Sequence, residues 1–198
     1  MDSDLPFSQA CENNKEPILA VLKQAFYQTT TVLEIGSGTG QHAVHFASQL
    51  THLRWQASDQ QHYLPDLNER LRRAALRNLP QALCLDVTQQ QLPPGNFDGL
   101  FTANTLHIMS LSMVESMFKR LNRLLSENAT LCIYGPFNYN GTFTSASNQA
   151  FDQSLKSRDP AMGIRDVEQI LVLAEAQGFS LQQDHAMPAN NRLLLLRR

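Results

Sequence analysis

Short apolar runs alternate along the chain with longer segments whose apolar residues recur every three to four positions. The short runs are typical of buried strands and cover residues 31–35, 53–59, 82–86, 97–103 and 129–134. The helical spacing predicts helices over residues 16–28, 41–50, 66–79, 112–125 and 166–177. Strands that alternate with helices of this length indicate right-handed βαβ units and a parallel sheet.

The pattern changes after residue 134. Residues 135–145 are polar and aromatic, and a loop of this length is typical of a lid or a binding segment. The tail predicts two further strands, over 179–184 and 192–196, joined by residues 187–191. Since no repeat or linker interrupts the pattern, we predict a single domain over residues 1–198.

Residues 31–40 read Thr-Val-Leu-Glu-Ile-Gly-Ser-Gly-Thr-Gly and lead from a strand into a helix. Three glycines at every second position permit a tight turn and close approach of the backbone to a ligand. The helix that follows presents free N–H groups, which indicates a nucleotide-type pocket. A dinucleotide site would have its third glycine where Gln41 stands, one residue after Gly40. Glu34 would also repel a pyrophosphate, so the pattern favours a ligand with cationic groups.

The pattern Glu-x-Gly-x-Gly-x-Gly over residues 34–40 resembles the first motif of class I S-adenosylmethionine-dependent methyltransferases. Their cofactor carries an ammonium and a sulfonium group and no phosphate. The resemblance implies a Rossmann-like α/β fold with a seven-stranded, mostly parallel sheet in the order 3-2-1-4-5-7-6 and helices on both faces. It also implies an antiparallel last strand, which suits the hairpin predicted at the end of the chain, and S-adenosylmethionine as the cofactor.

Three acidic residues fall at the ends of predicted strands, namely Glu34, Asp59 and Asp86. Ligands of open α/β sheets bind outside the carboxyl ends of the strands. Asp59 follows the glycines by about 20 residues, the distance at which a carboxylate binds ribose hydroxyls in nucleotide sites. The methyltransferase resemblance implies that Asp86 faces the adenine edge. Taken singly, each acid is as well explained as a helix cap or a turn residue.

The residues that follow the fourth predicted strand lie where methyltransferases position the methyl acceptor. Asn104 is predicted to bond the amino acid part of the cofactor or the substrate. His107 is a candidate general base because imidazole titrates near neutral pH, and capping or packing of the turn is its alternative role. Tyr134, at the end of the fifth strand, is the second candidate proton acceptor. The Asn-Pro-Pro-Tyr run of enzymes that methylate amino groups is absent.

Two further groups of residues complete the predicted site. Asn14 and Lys15 precede a helix that would cross the methionine end of the cofactor, although Asn14 serves equally well as a helix N-cap. His42 begins the second helix as a cofactor-site or capping residue; with His45 it lacks a third ligand, so no metal site is predicted. The predicted cofactor-binding residues are Asn14, Lys15, Glu34, Gly36, Ser37, Gly38, Gly40, His42, Asp59, Asp86 and Asn104, and the predicted substrate contacts are Asn138, Tyr139, Arg165 and Asn190.

Segments spread over nearly the whole chain resemble a narrower family of methyltransferase-like proteins, the one that includes methyltransferase-like protein 26. They are Cys-Glu-Asn-Asn-Lys-Glu-Pro-Ile-Leu at 11–19, the glycine segment at 36–47, Tyr-Gly-Pro-Phe-Asn-Tyr-Asn-Gly at 134–141 and Met-Pro-Ala-Asn-Asn at 187–191. This resemblance implies the fold and the S-adenosylmethionine site. It brings no substrate with it.

Composition narrows the possible partners. A formal net charge of −2 lacks the basic footprint of a nucleic-acid-binding domain. The three cysteines are scattered, as suits a reducing compartment. No apolar run approaches the roughly 18 to 20 residues of a membrane span, and the N-terminus lacks an apolar signal sequence. We therefore predict a cytoplasmic monomer or homodimer that binds neither nucleic acid nor membranes.

The predicted function is S-adenosylmethionine-dependent methyl transfer to a small polar acceptor, anionic acceptors included. One alternative is a non-catalytic S-adenosylmethionine-binding or interaction protein, which would keep the glycines and Asp59 but show no turnover. The other is a nicotinamide-dependent oxidoreductase, which the position of Gly40 and the presence of Glu34 disfavour.

Overall fold

The computed structural model describes residues 5–93 and 95–198 of the chain. The strands are β1 (Thr31–Ile35), β2 (Arg54–Asp59), β3 (Leu83–Cys84), β4 (Phe97–Ala103), β5 (Leu125–Gly135), β6 (Phe137–Asn138), β7 (Arg165–Asp166), β8 (Ser180–Met187) and β9 (Asn191–Arg197). The helices are α1 (Gln9–Ala25), α2 (Gln41–Gln49), α3 (Leu64–Ala74), α4 (Leu111–Leu124), α5 (Ala146–Arg158) and α6 (Val167–Glu175).

Seven of these strands form one sheet in the order β3-β2-β1-β4-β5-β9-β8. Adjacent strands are parallel from β3 to β5, whereas β9 runs antiparallel to both β5 and β8. Numbered along the chain within this sheet, the order is the predicted 3-2-1-4-5-7-6. The predicted α/β fold is therefore confirmed. The short strands β6 and β7 form a separate parallel pair.

Apolar side chains cover both faces of the sheet, because successive residues of a strand point to opposite sides. Leu33 of β1 belongs to the cluster that packs against α4 and α6. Val32, the preceding residue, belongs to the cluster that packs against α1, α2 and α3. Among the described residues, no helix has the length and apolar character needed to cross a membrane.

Three helices differ clearly from the sequence prediction. Helix α3 ends at Ala74 and not at residue 79, because Ala75 has left-handed backbone. Helix α1 begins at Gln9 rather than near residue 16, because the Ser8 hydroxyl accepts a hydrogen bond from the Cys11 N–H and caps the helix earlier. Pro17 consequently lies inside the helix and not in its first turn.

Helix α5 was not predicted at all. Two of its three buried residues are polar, Asn148 and Asp152, so it lacks the apolar stripe by which a helix is recognised.

Candidate functional site

A cavity of about 750 Å³ opens at the edge of the sheet where the parallel strands end. This is the edge at which α/β proteins bind ligands, and the volume lies within the range of about 300–1,000 Å³ typical of ligand sites. The predicted site residues that line it are Asn14, Gly36, Ser37, Gly38, His42, Asp59, Asn104, His107 and Tyr134. The structure thus brings together side chains and backbone from α1, α2 and the ends of four strands.

The glycine loop between β1 and α2 has left-handed backbone at each of its three glycines. At Gly36 (φ +75°) a Cβ would lie 2.7 Å from the Thr105 Oγ1, so only glycine fits beside the end of β4. At Gly40 (φ +77°), which does not line the cavity, a Cβ would lie 2.7 Å from the Leu67 Cδ1. Gly40 therefore allows α2 to approach α3, and the part of the loop around Gly38 faces the cavity.

Asp59 stands at the end of β2 and lines the cavity beside the glycine loop. Its Oδ2 accepts a hydrogen bond from the Gly38 N–H at 2.7 Å, and its Oδ1 accepts one from the Gln60 N–H at 2.8 Å. Burial raises the pKa of this carboxyl, while the two backbone hydrogen bonds oppose the rise. Because each carboxylate oxygen has two lone pairs, both oxygens keep the capacity to accept a bond from a ligand hydroxyl.

Glu34 does not line the cavity. It shares a face of β1 with Val32, and its Oε2 accepts a hydrogen bond from the Trp55 Nε1 at 2.9 Å. Burial raises the pKa of the carboxyl to about 7, and the hydrogen bonds from Trp55 and Ser37 only partly oppose this. The side chain predicted to meet a cationic ligand is instead a buried acid paired with an indole.

A buried polar group joins α1, α2 and β5 next to the cavity. The His42 Nε2 lies 2.7 Å from the Asn14 Oδ1, and burial lowers the pKa of the imidazole to about 4. At neutral pH His42 is therefore uncharged and donates its Nε2–H to the amide oxygen. Burial raises the pKa of the Tyr134 hydroxyl, opposed by the adjacent side chains of Asn14 and Asn191. Asn14 is a member of this buried group and not an N-cap.

Asn104 and His107 follow β4 and line the cavity. Asn104 has a φ of +57°, and its N–H donates to the Tyr134 carbonyl at 2.9 Å. Non-glycine residues held in this region are rare and cluster at functional sites. The His107 ring lies 5.2 Å from the Phe151 ring, edge to face. Burial and, to a lesser extent, the charge of Arg165 lower its pKa to about 4, so its imidazole is neutral at pH 7 and a weak base.

The remaining predicted cofactor residues have partners within the protein. Lys15 pairs with Glu12 on the same face of α1. The Asp86 Oδ1 accepts hydrogen bonds from the Thr88 N–H at 2.8 Å and the Thr88 hydroxyl at 2.7 Å, so Asp86 acts as a turn residue. Neither Lys15 nor Asp86 lines the cavity.

None of the four predicted substrate contacts lines the cavity either. The Tyr139 hydroxyl donates to the Asp184 Oδ2 at 2.6 Å, and the Asn190 Nδ2 donates to the Ser147 Oγ at 3.3 Å. The Arg165 guanidinium donates to the backbone carbonyls of residues 106, 109 and 161. Asn138 is buried in β6, with no hydrogen-bond partner for its Oδ1 among the described residues. Arg165 therefore ties loops together and does not present a cation to the cavity.

The largest contribution that sequence reasoning missed comes from Phe151 and Arg158 of α5 and from Met162. Asn148, Phe151 and Arg158 of this helix line the cavity, as does Met162 just after it. Their spacing of three and seven residues is the signal that was available, since such positions share one face of a helix.

Over the described parts of the chain, no three His, Cys, Asp or Glu side chains are grouped so as to hold a metal ion.

Three solved structures with a similar fold are methyltransferases by name. The mitomycin 7-O-methyltransferase MmcR matches with a TM-score of 0.82 at 16% identity, covering 96% of this chain and 54% of its own. An O-methyltransferase family protein from Burkholderia thailandensis gives 0.81 at 14% identity, covering 93% and 56%. Human N-acetylserotonin methyltransferase in complex with S-adenosylmethionine gives 0.79 at 14% identity, covering 96% and 53%.

At these identities the likeness establishes the Rossmann-like methyltransferase fold, and the chain spans about half the length of the structures it matches. The sequence itself gives the closer relationship. Over residues 5–198 it matches the family described as "Protein of unknown function (DUF938)", and the chain belongs to that family.

Proposed function

We propose that this chain binds S-adenosylmethionine in the cavity and transfers its methyl group to a small polar acceptor. The observation that carries the proposal is that the glycine loop, Asp59 and Asn104 all line one cavity at the carboxyl edge of the sheet. The three similar structures support it, since each is named as a methyltransferase and one is in complex with S-adenosylmethionine. The closer kinship with methyltransferase-like protein 26 is part of the same proposal and is supported by the segments at 11–19 and 134–141.

The residues of the cavity fit this cofactor. The two Asp59 oxygens serve as acceptors for vicinal ribose hydroxyls, and the loop around Gly38 leaves room for close approach of a ligand. Leu85 and Val87, which line the cavity beyond β2, supply an apolar surface for the adenine ring. Asn104 supplies an amide for the amino acid part. When bound, the cofactor contributes a methyl group made electrophilic by its sulfonium.

The protein mainly positions the reactants and excludes water, as in other cofactor enzymes. His107 is neutral at pH 7 and accepts the proton that an acceptor hydroxyl loses. Tyr134 stays protonated and orients the acceptor through its hydroxyl. An oxygen acceptor depends on His107 more than a neutral amine does, because the lone pair of a neutral amine is nucleophilic enough to attack before any proton is lost, whereas a hydroxyl is a weak nucleophile until its proton is removed.

A non-catalytic S-adenosylmethionine-binding protein is the second candidate. The observation that favours it is the low pKa of His107, about 4, which makes the imidazole a poor base at neutral pH. A turnover screen over small hydroxyl, thiol and amine compounds separates the two candidates. The cytoplasmic location and the monomeric or homodimeric state stay predictions from the sequence.

Calorimetric titration with S-adenosylmethionine and S-adenosylhomocysteine tests the cofactor assignment. We expect binding by the natural protein and at least a tenfold loss in the Asp59→Asn variant, because a hydrogen bond to a charged group contributes about 1.5–3 kcal/mol. NADH, titrated in parallel, should not bind. Absence of S-adenosylmethionine binding by the natural protein would overturn the proposal.

The Asp98→Asn variant is the matched control. Asp98 stands at the beginning of β4, away from the cavity, and also accepts two backbone hydrogen bonds, from Thr30 and Thr31. Both variants should lower the melting temperature, since in each one a carboxylate oxygen that accepts a backbone hydrogen bond is replaced by an amide nitrogen. Only the Asp59 variant should lose the cofactor, and equal loss in both would attribute the effect to stability.

A further inference from the structure

The cavity has two chemically different halves, which follow from the order of the strands. The β3, β2 and β1 side contributes Leu85, Asp59 and the glycine loop, which the proposed function assigns to the cofactor. The β5 and β9 side, together with α5, contributes residues that this assignment does not use. His107 lies between the halves, and its ring contacts Phe151 of α5. We call the second half the α5 half.

The α5 half presents apolar side chains that are exposed to the cavity opening. Phe151 is 40% exposed and Ile108, on the loop after β4, is 45% exposed. Both line the cavity, and Met162 lines it beside them. Large apolar side chains left open at a concave site are a mark of ligand binding. A flat ring is a suitable occupant, because Phe151 offers an aromatic surface and Met162 a polarisable thioether.

One cation completes this half. Arg158, the last residue of α5, lines the cavity, and its side chain makes no hydrogen bond or ion pair with any other residue that the structure describes. Lys156, two residues earlier, is instead held by the Asp152 Oδ2 at 2.6 Å and does not line the cavity. Arginine is well suited to a carboxylate, since its planar guanidinium donates two parallel hydrogen bonds.

No other charge offsets this one within the α5 half. Asp59 is the only acid among the described residues that line the cavity, and it belongs to the cofactor half. Burial lowers the pKa of His107 to about 4 and raises the pKa of Tyr134, so both are neutral at pH 7. The α5 half therefore combines an apolar surface with a single unpaired positive charge.

We propose that the α5 half binds an acceptor with a flat apolar body and a carboxylate, the body against Phe151 and Met162 and the carboxylate on Arg158. The role of this ligand as the methyl acceptor rests on the proposed function, whereas the preference for an aromatic carboxylate does not. The proposal narrows the class of acceptor, which the sequence predicts only as small and polar. It also assigns the contact with an anionic group of the acceptor to Arg158 instead of Arg165.

Matched pairs of probes test the proposal by ligand-observed NMR titration. The pairs are benzoate with benzamide, indole-3-acetate with indole-3-acetamide, and acetate with acetamide, each added with and without S-adenosylhomocysteine. We expect the aromatic carboxylates to bind about fivefold more tightly than their amides, with acetate showing no measurable binding. In Arg158→Gln this preference should vanish while the affinity for the amides stays unchanged. Raising the salt concentration should weaken the preference in the natural protein.

Two further variants make the result specific. Phe151→Ala should weaken both members of each aromatic pair, and Arg77→Gln, which removes an exposed cation outside the cavity, should change neither. Equal affinity for carboxylates and amides, or a preference that survives in Arg158→Gln, would overturn the proposal. If S-adenosylhomocysteine binds and the preference is absent, this inference fails alone; if the preference is present without cofactor binding, the proposed function fails instead.

Discussion

At the scale of single residues, burial sets the charge of the side chains around the cavity. It raises the pKa of Glu34 to about 7 and lowers those of His42 and His107 to about 4. Desolvation is the largest cause in all three, because burial removes the water that stabilises the charged form of each group. Both histidines are thus neutral at pH 7, and the carboxyl of Glu34 is close to its midpoint.

The raised pKa of Glu34 makes folding stability depend on pH. Below the usual pKa of 4.5 the carboxyl of Glu34 carries its proton in both the folded and the unfolded chain, and the contribution of Glu34 to stability is fully present. As the pH rises from 4.5 towards 7 the Glu34 carboxyl ionises first in the unfolded chain, so the contribution of Glu34 to stability falls by up to about 3 kcal/mol and then levels off.

The Glu34→Gln variant tests this dependence. Glutamine keeps an acceptor for the Trp55 indole but has no proton to lose, so the variant should gain stability relative to the natural protein between pH 5 and pH 8. Urea unfolding of both proteins at the two pH values measures it. The histidines titrate alike in both and cancel in the comparison. A difference that is the same at both values would contradict the assignment.

At the scale of elements, the N-terminal end of α1 forms a wall of the cavity, through Ser8, Cys11 and Asn14. It is held to the glycine loop by Gln41 of α2. The Gln41 Oε1 accepts a hydrogen bond from the Ser8 N–H at 2.6 Å, and its Nε2 donates to the Glu12 Oε1 at 2.7 Å. Gln41 stands where a dinucleotide-binding site has its third glycine, and here it connects α2 to the start of α1 through hydrogen bonds.

Replacing Gln41 with alanine should loosen this wall. The Ser8 N–H loses its partner and the Glu12 carboxylate keeps only Lys15, so we expect faster amide exchange at residues 8–12 and weaker binding of S-adenosylhomocysteine, by about tenfold. Gln49→Ala is the control, since Gln49 lies on the same helix and, among the residues that the structure describes, its side chain hydrogen-bonds only to the Ser48 Oγ, at 3.5 Å. Unchanged exchange in the Gln41 variant would show that other contacts hold the start of α1.

At the scale of the whole molecule, the last strand of the chain lies inside the sheet. Strand β9 is hydrogen-bonded to β5 on one side and β8 on the other, and it carries four consecutive buried leucines, at 193–196. The two faces of β9 contribute to both apolar clusters, since Leu194 belongs to one and Leu195 to the other. The C-terminal residues therefore join the two layers of helices.

Truncation of a side chain in β9 should consequently affect the whole fold. Leu194 is fully buried, so Leu194→Ala should cost about 2–5 kcal/mol of unfolding free energy. Leu181→Ala, on the edge strand β8 where the side chain is 36% exposed, should cost about 1 kcal/mol or less. Equilibrium urea unfolding compares them. Similar losses in the two variants would mean that β9 contributes no more to the cooperative core than the edge strand β8 does.

The sequence by itself determined the succession of strands and helices, the glycine loop and the placement of Asp59 at the cavity, whereas the order of strands within the sheet was implied by the resemblance to methyltransferases. These features depend on local patterns: an apolar run marks a strand, and glycines mark a turn that only they allow. Only the tertiary structure decided which polar side chains reach the cavity. Glu34 is paired with Trp55 and Arg165 with backbone carbonyls, contacts made between distant parts of the chain.

Helix α5 shows the same division most clearly. Its buried face is partly polar, so its apolar periodicity is weak, and nothing local distinguishes Arg158 from a surface arginine. The position of Arg158 at the cavity follows from where the helix packs. Sequence patterns report whether a residue is buried, whereas the partner of a polar side chain depends on the arrangement of elements that lie far apart in the chain.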